Sequence, residues 1–323
     1  FRNVTGVQTC ALPICQRDVY LLSLLDRAKS DKDIILMSVD MGAPAIDKWK
    51  SELPEQYFEM GISEQNAINV AAGLSRGGKK VFVYFMAVWV HRCFEQIRYS
   101  CSIASNKITI LGNGVGLGYA PAGPAHEPNE DVAVMKSLHN IEIYSPSSRV
   151  QIPQLVDLCL SNKSLNYVRL ERKSSENIEQ KYSHLLNQDF TSLIYKVEED
   201  IIPETVVISY GYLTSRVHDA IQNLSTEKAK RILSLDLQKI WPLDLKKVNQ
   251  ILINAKLVLF LEEQSINGSL YEYFCRYISE SGLKIMVKSI HLPNQYIFEN
   301  GNQDQLLDSV GLSVDSITNL LDS

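Results

Sequence analysis

Short apolar runs alternate with segments of helical period along most of this chain. Tyr20, Leu21, Leu24 and Leu25 recur at the spacing of one helical face, and the apolar run DIILMSVD (33–40) follows them directly. The same order of helix and strand continues through the runs KKVFVYFMAVWV and KITILGNG. Strands and helices that alternate over about 150 residues are typical of a parallel, doubly wound sheet. The sequence therefore predicts an α/β fold.

The alternation is interrupted once, and the interruption divides the chain into two domains. Residues 17–175 form the first predicted domain, and residues 176–193 lose the helical and strand periods, which predicts a linker. Four strand-like runs with helices between them then fill residues 194–323. We expect two doubly wound α/β domains with mainly parallel sheets.

Residues 1–16 fit neither domain. They lack an initiator Met and any regular period, and they contain two of the six cysteines. We expect a non-native or disordered segment, similar to translated adapter sequence, with a signal peptide as the alternative. The native N-terminus would then lie outside this sequence.

Charge and hydropathy narrow the classes of partner. The net charge is −5 without long blocks of like charge, so we expect neither nucleic acid nor a membrane surface as a partner. The apolar run VFVYFMAVWV (81–90) is shorter than the roughly 18 residues of a membrane span and predicts a buried strand. The cysteines form no CxxC pair, which favours a reduced cytoplasmic compartment without a zinc site.

Glu64 lies at the start of a predicted helix that is rich in small residues, within MGISEQNAINVAAGLSRGG (60–78). Ser63 is placed as its N-cap, and Gly77 follows its last periodic residue. Acidic side chains at a helix N-terminus are usually explained by the helix dipole. The residues alone therefore leave a structural and a chemical interpretation of Glu64 open.

The turn GISEQN, the small-residue helix behind it and the later segment FMAVWVHRCFEQI together resemble the pyrimidine-binding domain of transketolases. Gly61, Ile62, Glu64 and Gln65 match the GI-x-EQ turn of that family. The resemblance runs from about Arg17 through the second domain to the C-terminus. It implies a thiamine diphosphate enzyme whose second domain is the transketolase C-terminal domain.

The resemblance gives Glu64 a catalytic and cofactor-binding role. A carboxylic acid at this place hydrogen-bonds ring nitrogen N1′ of the aminopyrimidine, so that the 4′-amino group can take the proton from thiazolium C2. The family places its cofactor at a subunit interface. We therefore expect the small side chains behind Glu64 to leave room for a partner backbone, namely Ala67, Ala71, Ala72 and Gly73.

Other cofactor-binding positions follow from the same resemblance. Met86 and Trp89 match the residues that flank or stack on the pyrimidine, and Arg92 lies one helical turn further on. Asp40 in SVDMG matches an aspartate near the thiazolium end. Ordinary core filling remains an alternative for Trp89, since a tryptophan buries a large area wherever it lies.

The loop from Gly112 to His126 matches the substrate loop of transketolases, which ends in a GP-x-H element. His126 is thereby assigned to substrate binding and proton transfer, and Arg172 in RLERK to the substrate phosphate. A loop histidine and a surface arginine are the structural alternatives. The loop differs from that of the sugar transketolases at Asn113 and Ala122, which leaves the identity of the substrate open.

The sequence lacks one part of the family's cofactor site. Relatives bind Mg²⁺ and the cofactor diphosphate through a GDG…N element, and no such element occurs in this sequence. We therefore expect no metal ligand on this chain, a separately encoded N-terminal transketolase subunit as its partner, and a heterotetramer. Glu262 and Glu263 in LFLEEQ are expected to be structural.

The predicted function is the C-terminal subunit of a transketolase-like enzyme that moves a two-carbon ketol unit between sugar (phosphate) substrates. Two alternatives keep the cofactor: a deoxyxylulose-phosphate-synthase-like enzyme, and the beta subunit of a 2-oxo acid dehydrogenase decarboxylase. A third is a non-catalytic partner subunit. Glu64 favours the catalytic interpretations, because a non-catalytic subunit has no chemical need for an acid in that turn.

Overall fold

The computed structural model describes residues 15–173, 193–195, 203–252 and 254–322. The predicted linker, residues 176–193, lies outside the described residues apart from Leu193, where a strand begins. Residues 1–14 also lie outside them. The first helix begins at Gln16, one residue before the predicted start of the first domain.

Six parallel strands build the sheet of the first domain. Their order across the sheet is β5-β6-β4-β3-β1-β2, so the chain runs from β1 out to the edge strand β2, returns past β1 to β3 and continues in that direction to β4. The strands are β1 (Ile34–Ser38), β2 (Tyr57–Glu59), β3 (Lys80–Met86), β4 (Ile108–Asn113), β5 (Ile141–Tyr144) and β6 (Leu165–Leu170). The predicted parallel α/β sheet is confirmed.

Helices connect these strands and cover the sheet. They are α1 (Gln16–Ala28), α2 (Pro44–Glu52), α3 (Glu64–Arg76), α4 (Phe94–Gln96), α5 (Asp131–Met135) and α6 (Ile152–Ser161). Helix α4 continues as a π-helical segment, Ile97–Ile103. The predicted face of α1 is confirmed, because Tyr20, Leu21, Leu24 and Leu25 are all buried.

The second domain has a five-stranded sheet in the order β12-β11-β8-β9-β7. All its pairs are parallel except β7 with β9. The strands are β7 (Leu193–Tyr195), β8 (Thr205–Ser209), β9 (Ile232–Asp236), β11 (Leu257–Ser265) and β12 (Met286–Leu292). The helices are α7 (Leu213–Gln222), α8 (Thr226–Ala229), α9 (Leu245–Leu252), α10 (Leu270–Ser281), α11 (Gln303–Ser309) and α12 (Val314–Asp322).

One strand of the second half crosses to the first domain. Strand β10 (Lys239–Trp241) pairs antiparallel with β5 and extends the first sheet to seven strands. Sequence periodicity did not identify this short strand. The crossing ties the two sheets together and places the carboxyl end of β11 against the loop that follows β4, through the hydrogen bond from the Leu117 N–H to Glu263.

The small residues of α3 do not form an open face, which corrects the expectation for them. Ala67, Ala71 and Ala72 are buried in the core of the first domain, where α3 packs against β3 and β4. Of the four small residues, Gly73 faces outward with nothing near its missing Cβ, as does the neighbouring Val70, which is 38% exposed. The alanines are small because the helix packs closely on its own sheet.

Candidate functional site

The predicted site residues lie along one edge of the first sheet. Because β1, β3, β4 and β6 are parallel, their carboxyl ends meet at the same edge. Met86 ends β3 and Asn113 ends β4, and the two residues are register partners. Asp40 follows β1 and Arg172 follows β6 at that edge. In open α/β sheets this edge is where ligands bind.

Glu64 is the first residue of α3 and is buried, with 4% of its surface exposed. Its carboxylate oxygens accept hydrogen bonds of 3.3 and 3.2 Å from Arg92 Nη1. Gln65 Nε2 donates to the Arg92 carbonyl and holds the two segments together. A carboxylate has about four lone-pair positions, so Arg92 leaves acceptor capacity for a ligand donor.

Ser63 occupies the N-cap position but does not cap the helix with its side chain. Its hydroxyl donates to the Met60 carbonyl at 2.6 Å. This hydrogen bond stabilises the turn before α3, and the helix begins at Glu64.

Trp89 lies in a 3₁₀ turn, Ala87–Val90, directly after β3. The Arg92 guanidinium carbon lies 4.6 Å from the centroid of the Trp89 ring, in a cation–π arrangement. The His126 ring meets Trp89 edge-on with centroids 6.0 Å apart. Trp89 is only partly buried. The structure therefore brings Glu64, Arg92, Trp89 and His126 into one row of contacts. Half-buried Met86 ends β3, the strand that directly precedes the Trp89 turn.

His126 ends a 3₁₀ turn, Pro124–His126, in the loop after β4. Its Nδ1 is buried and has no hydrogen-bond partner within the described part of the chain. An imidazole nitrogen left in this state can receive a ligand hydroxyl or a water. The environment of His126 fits the predicted contact with substrate.

Arg172 and Asp40 lie further along the edge. The Arg172 guanidinium carbon lies 4.7 Å from the Tyr119 ring centroid, and Tyr119 in turn accepts a hydrogen bond from Asn113 Nδ2. Arg172 therefore faces the same loop as His126. Asp40 is exposed and takes a left-handed backbone conformation, and its N–H donates to Glu59 Oε1.

Three buried carboxyl groups lie beside the predicted residues; Glu127 and Glu171 were missed, and Glu263 was predicted to be structural. Glu127 follows His126, Glu171 precedes Arg172, and Glu263 enters from β11. Burial, then the negative charges of Glu263 and Glu299, raise the pKa of Glu127 to about 7. Burial and the charge of Glu263 raise the pKa of Glu171 to about 8. For Glu127 and Glu171, the position next to His126 and Arg172 was the only signal in the sequence, since a sequence does not reveal burial.

Asp131, the first residue of α5, lies in a buried network of polar side chains. It is fully buried and accepts hydrogen bonds from Arg169 Nε, the Tyr167 hydroxyl and Gln264 Nε2. Arg169 is also buried. The pair links α5, β6 and β11 behind the site, so Asp131 is chiefly an ion-pair partner rather than a dipole charge.

The described residues offer neither a metal cluster nor a membrane-spanning helix. They contain no group of three or more His, Cys, Asp or Glu side chains arranged to hold a metal ion. None of their helices combines the length and apolar character that crossing a bilayer demands.

Family models match both halves of the chain. The model described as transketolase, pyrimidine binding domain, matches residues 15–176, and the one described as transketolase, C-terminal domain, matches residues 196–317. The chain belongs to the transketolase family. The resemblance carried by the GISEQN turn and the predicted transferase class are thereby confirmed.

Individual relatives agree with the family. The chain is 28% identical over 307 residues to a subunit of apulose-4-phosphate transketolase from Phocaeicola vulgatus, with 94% of this chain and 95% of that protein covered. It is 24% identical to the corresponding apulose-4-phosphate transketolase subunit from Actinobacillus succinogenes, over 92% and 94% of the two chains. It is 24% identical to 1-deoxy-D-xylulose-5-phosphate synthase of Lawsonia intracellularis, where it covers 48% of that protein.

Solved transketolase structures share the fold. A structure described as a split gene transketolase, inactive beta4 tetramer, superposes with a TM-score of 0.80 at 23% identity, covering 96% of this chain and 97% of that one. Transketolase from Campylobacter jejuni gives a TM-score of 0.76 at 14% identity over 95% of this chain and 46% of that one. The two-domain α/β architecture of this transketolase family member is therefore confirmed.

Proposed function

We propose that this chain is the C-terminal, pyrimidine-binding subunit of a two-subunit transketolase that moves a two-carbon ketol unit between sugar phosphates. The observation that carries the proposal is the buried carboxylate of Glu64, held by Arg92 beside the partly buried ring of Trp89. A buried acid next to an aromatic face suits an aminopyrimidine, which stacks on the ring and shares a proton with the acid. Thiamine diphosphate supplies the carbon centre that accepts the ketol unit.

The residues of this chain divide the work on the cofactor and the substrate. Glu64 would hold a proton toward the pyrimidine of bound thiamine diphosphate, and Met86, Trp89 and Arg92 would contact its ring. Asp40 would contact the cofactor further along the same edge. His126 and Arg172 receive the substrate, His126 through its free ring nitrogen and Arg172 through a guanidinium suited to phosphate. Ligands for Mg²⁺ and the diphosphate come from the partner subunit.

The relatives support a divided enzyme. Two of them are named as one subunit of an apulose-4-phosphate transketolase, and both correspond to this chain over nearly their full length. The similar split-gene structure, a tetramer of beta chains alone, is described as inactive. On this basis we place the chain in a heterotetramer with an N-terminal subunit, acting on phosphorylated sugars. The cysteines Cys15, Cys93, Cys101, Cys159 and Cys275 are free, which supports a cytoplasmic location.

The second candidate function is a deoxyxylulose-phosphate-synthase-like reaction. The match to the enzyme of Lawsonia intracellularis, over 96% of this chain, favours it. The two reactions differ in the donor, since a synthase of this type loses carbon dioxide and a transketolase does not. Assaying the assembled enzyme for carbon dioxide release separates them.

The test is a ketol-transfer assay of the chain co-expressed with its N-terminal partner. Glu64→Gln keeps the shape of the side chain but cannot share a proton as an acid does. We expect its kcat to fall about 10²- to 10⁴-fold. Glu95→Gln, an exposed change on the neighbouring α4, is the matched control and is expected to act as wild type. Wild-type turnover by Glu64→Gln would refute the assignment.

A further inference from the structure

The C-terminal domain contacts the substrate loop through one buried carboxylate. Glu263 lies in β11 and is 5% exposed. Its Oε1 accepts a 2.7 Å hydrogen bond from the Leu117 N–H, which belongs to the loop after β4. Gln303 Nε2, at the start of α11, donates to the same oxygen at 3.0 Å. One carboxylate therefore joins the loop to two elements of the second domain.

The backbone of the loop is shaped for this contact. Gly116 has φ of +54°, a conformation that favours glycine, and a Cβ at this position would overlap the Glu263 carboxyl group. Leu117 and Ala120 are buried in the hydrophobic core of the second domain, where they pack with residues such as Leu213 and Leu261. The first half of the loop therefore packs against the C-terminal domain.

The second half of the loop is held by the next two residues of β11. Gln264 Nε2 donates to the Pro128 carbonyl at 3.3 Å, and the Ser265 N–H donates to the Asn129 carbonyl at 2.8 Å. His126 lies between these contacts and the Leu117 contact. The end of β11 therefore forms hydrogen bonds with the loop on both sides of His126, the histidine that contacts Trp89.

The neighbouring Glu262 provides a contrast on the same strand. It is fully buried and accepts hydrogen bonds from the Leu270 N–H, the Tyr271 N–H and the Tyr210 hydroxyl. All three donors belong to the second domain. Because successive strand residues point to opposite faces, Glu262 stabilises the interior of its own domain while Glu263 faces the loop.

We propose that Glu263 is a positioning residue for the substrate loop, acting through the Leu117 N–H to set the place of His126 over Trp89. The proposal deepens the function proposed above and rests on it for the role of His126. The Glu263 carboxylate acts through its hydrogen bonds with Leu117 and Gln303. Without it, the Leu117 N–H is left buried without a partner, and the loop moves to recover a hydrogen bond.

The first test is hydrogen exchange on the full chain, which needs no turnover. In Glu263→Ala we expect the Leu117 amide and the peptide covering residues 114–127 to exchange at least about tenfold faster, as loss of a hydrogen bond of ~1.4 kcal/mol requires. Glu263→Gln keeps an acceptor oxygen and should change exchange by less than about threefold. Glu262→Gln is the matched control and should leave this peptide unchanged.

The second test reads the consequence for the site in the assembled two-subunit enzyme. Displacement of His126 should lower kcat/KM for the sugar substrate about 10- to 100-fold through KM, with the thiamine diphosphate Kd within about twofold of wild type. If exchange rises but kcat/KM does not fall, Glu263 holds the loop without serving the proposed role of His126, and the positioning proposal is overturned. If the assembled wild-type enzyme shows no ketol transfer, the proposed function fails, but the hydrogen-exchange result still tests whether Glu263 holds the loop.

A third variant covers the case in which Glu263→Ala does not fold. Gly116→Ala leaves Glu263 in place and pushes the loop away from it, so exchange should rise in residues 114–127 and stay constant in β11. Wild-type exchange at Leu117 in Glu263→Ala or Gly116→Ala would overturn the proposal. Equal loosening by Glu262→Gln would also overturn it, since the effect would then belong to the strand and not to Glu263.

Discussion

Arg92 Nη1 lies 3.2 Å from one carboxylate oxygen of Glu64 and 3.3 Å from the other. The same guanidinium lies over the ring of Trp89. The Arg92 side chain is half exposed and that of Glu64 is buried, so the pair joins the surface to the buried start of α3. The pair fixes the orientation in which Glu64 meets a ligand.

We predict that Arg92→Ala weakens thiamine diphosphate binding to the two-subunit enzyme about tenfold. A hydrogen bond to a charged group is worth ~1.5 kcal/mol or more, and Glu64 loses its side-chain partner in this variant. Titration calorimetry measures the effect. Arg92→Lys should be intermediate, because it keeps the charge and loses the planar fork. Arg98→Ala, an exposed change nearby, is the control, and equal or tighter binding by Arg92→Ala would contradict the prediction.

Arg172→Ala should raise the KM for a phosphorylated sugar at least about tenfold and leave the affinity for cofactor unchanged. The reason is that Arg172 is held over Tyr119 at the edge of the loop, where a guanidinium can bind phosphate with two hydrogen bonds. Steady-state kinetics with the sugar phosphate and its dephosphorylated analogue measure this. Lys173→Ala is the control, since Lys173 pairs with Asp304. The same KM change for both sugars would argue against a phosphate contact.

Asp131→Ala should lower the free energy of unfolding by about 3–5 kcal/mol. The substitution leaves the buried guanidinium of Arg169 without its counter-ion, and the Tyr167 hydroxyl loses its acceptor. Urea unfolding measures the change. The exposed pair of Arg27 and Asp157 supplies the control, and Asp157→Ala should cost about 1 kcal/mol or less. Equal costs for the two variants would show that burial of the Asp131 pair does not matter.

The stability of the chain should fall as the pH rises from about 5 to about 8, and Glu171 should account for part of this. Burial, followed by the charge of Glu263, raises the folded-state pKa of Glu171 from 4.5 to about 8. Between these two pKa values the folded chain keeps a proton that the unfolded chain releases. The contribution of Glu171 to the free energy of unfolding is therefore greatest below the unfolded-state pKa, and it is lost as the pH rises to the folded-state pKa.

Glu171→Gln should flatten that pH dependence, measured as the urea midpoint at several pH values between about 5 and 8. Asp304→Asn is the control of opposite sign. Burial disfavours the charge of Asp304, but hydrogen bonds from Lys173, Tyr212 and Arg216 outweigh it and lower the pKa of Asp304 to about 2. Its contribution is lost only in acid, so this variant should keep the wild-type slope. An unchanged slope in Glu171→Gln would contradict the assignment.

The sequence predicted most of the regular elements because their signals are local. The runs at β1, β3 and β4 are apolar enough to require burial on both faces of a sheet, and the structure places them as three adjacent interior strands of the first sheet. The face of α1 follows directly from helical spacing. The short β10 carries no such signal, because three residues cannot show a period and their pairing with β5 depends on the packing of the two domains.

The candidate site was recognised from a motif, and the structure supplied its contacts. GISEQN pointed to Glu64, and the match at FEQI pointed to Trp89 and Arg92. The motif could not show that Arg92 lies against Glu64, since the two are 28 residues apart and meet only when β3 packs beside α3. The alanines of α3 were misassigned for a related reason: a small side chain is compatible both with a partner and with close packing on the chain's own sheet.

By itself, the sequence determined the α/β class, the family and the acid at the start of α3, because these depend on local periodicity and on residues adjacent in the chain. Only the tertiary structure decided which charges are buried and what they hold. Glu263 and Leu117 are 146 residues apart, and their contact exists only where the second domain packs against the loop that follows β4. The free-energy cost of a buried charge depends on the groups that the tertiary fold brings beside it, and a local sequence pattern does not identify those groups.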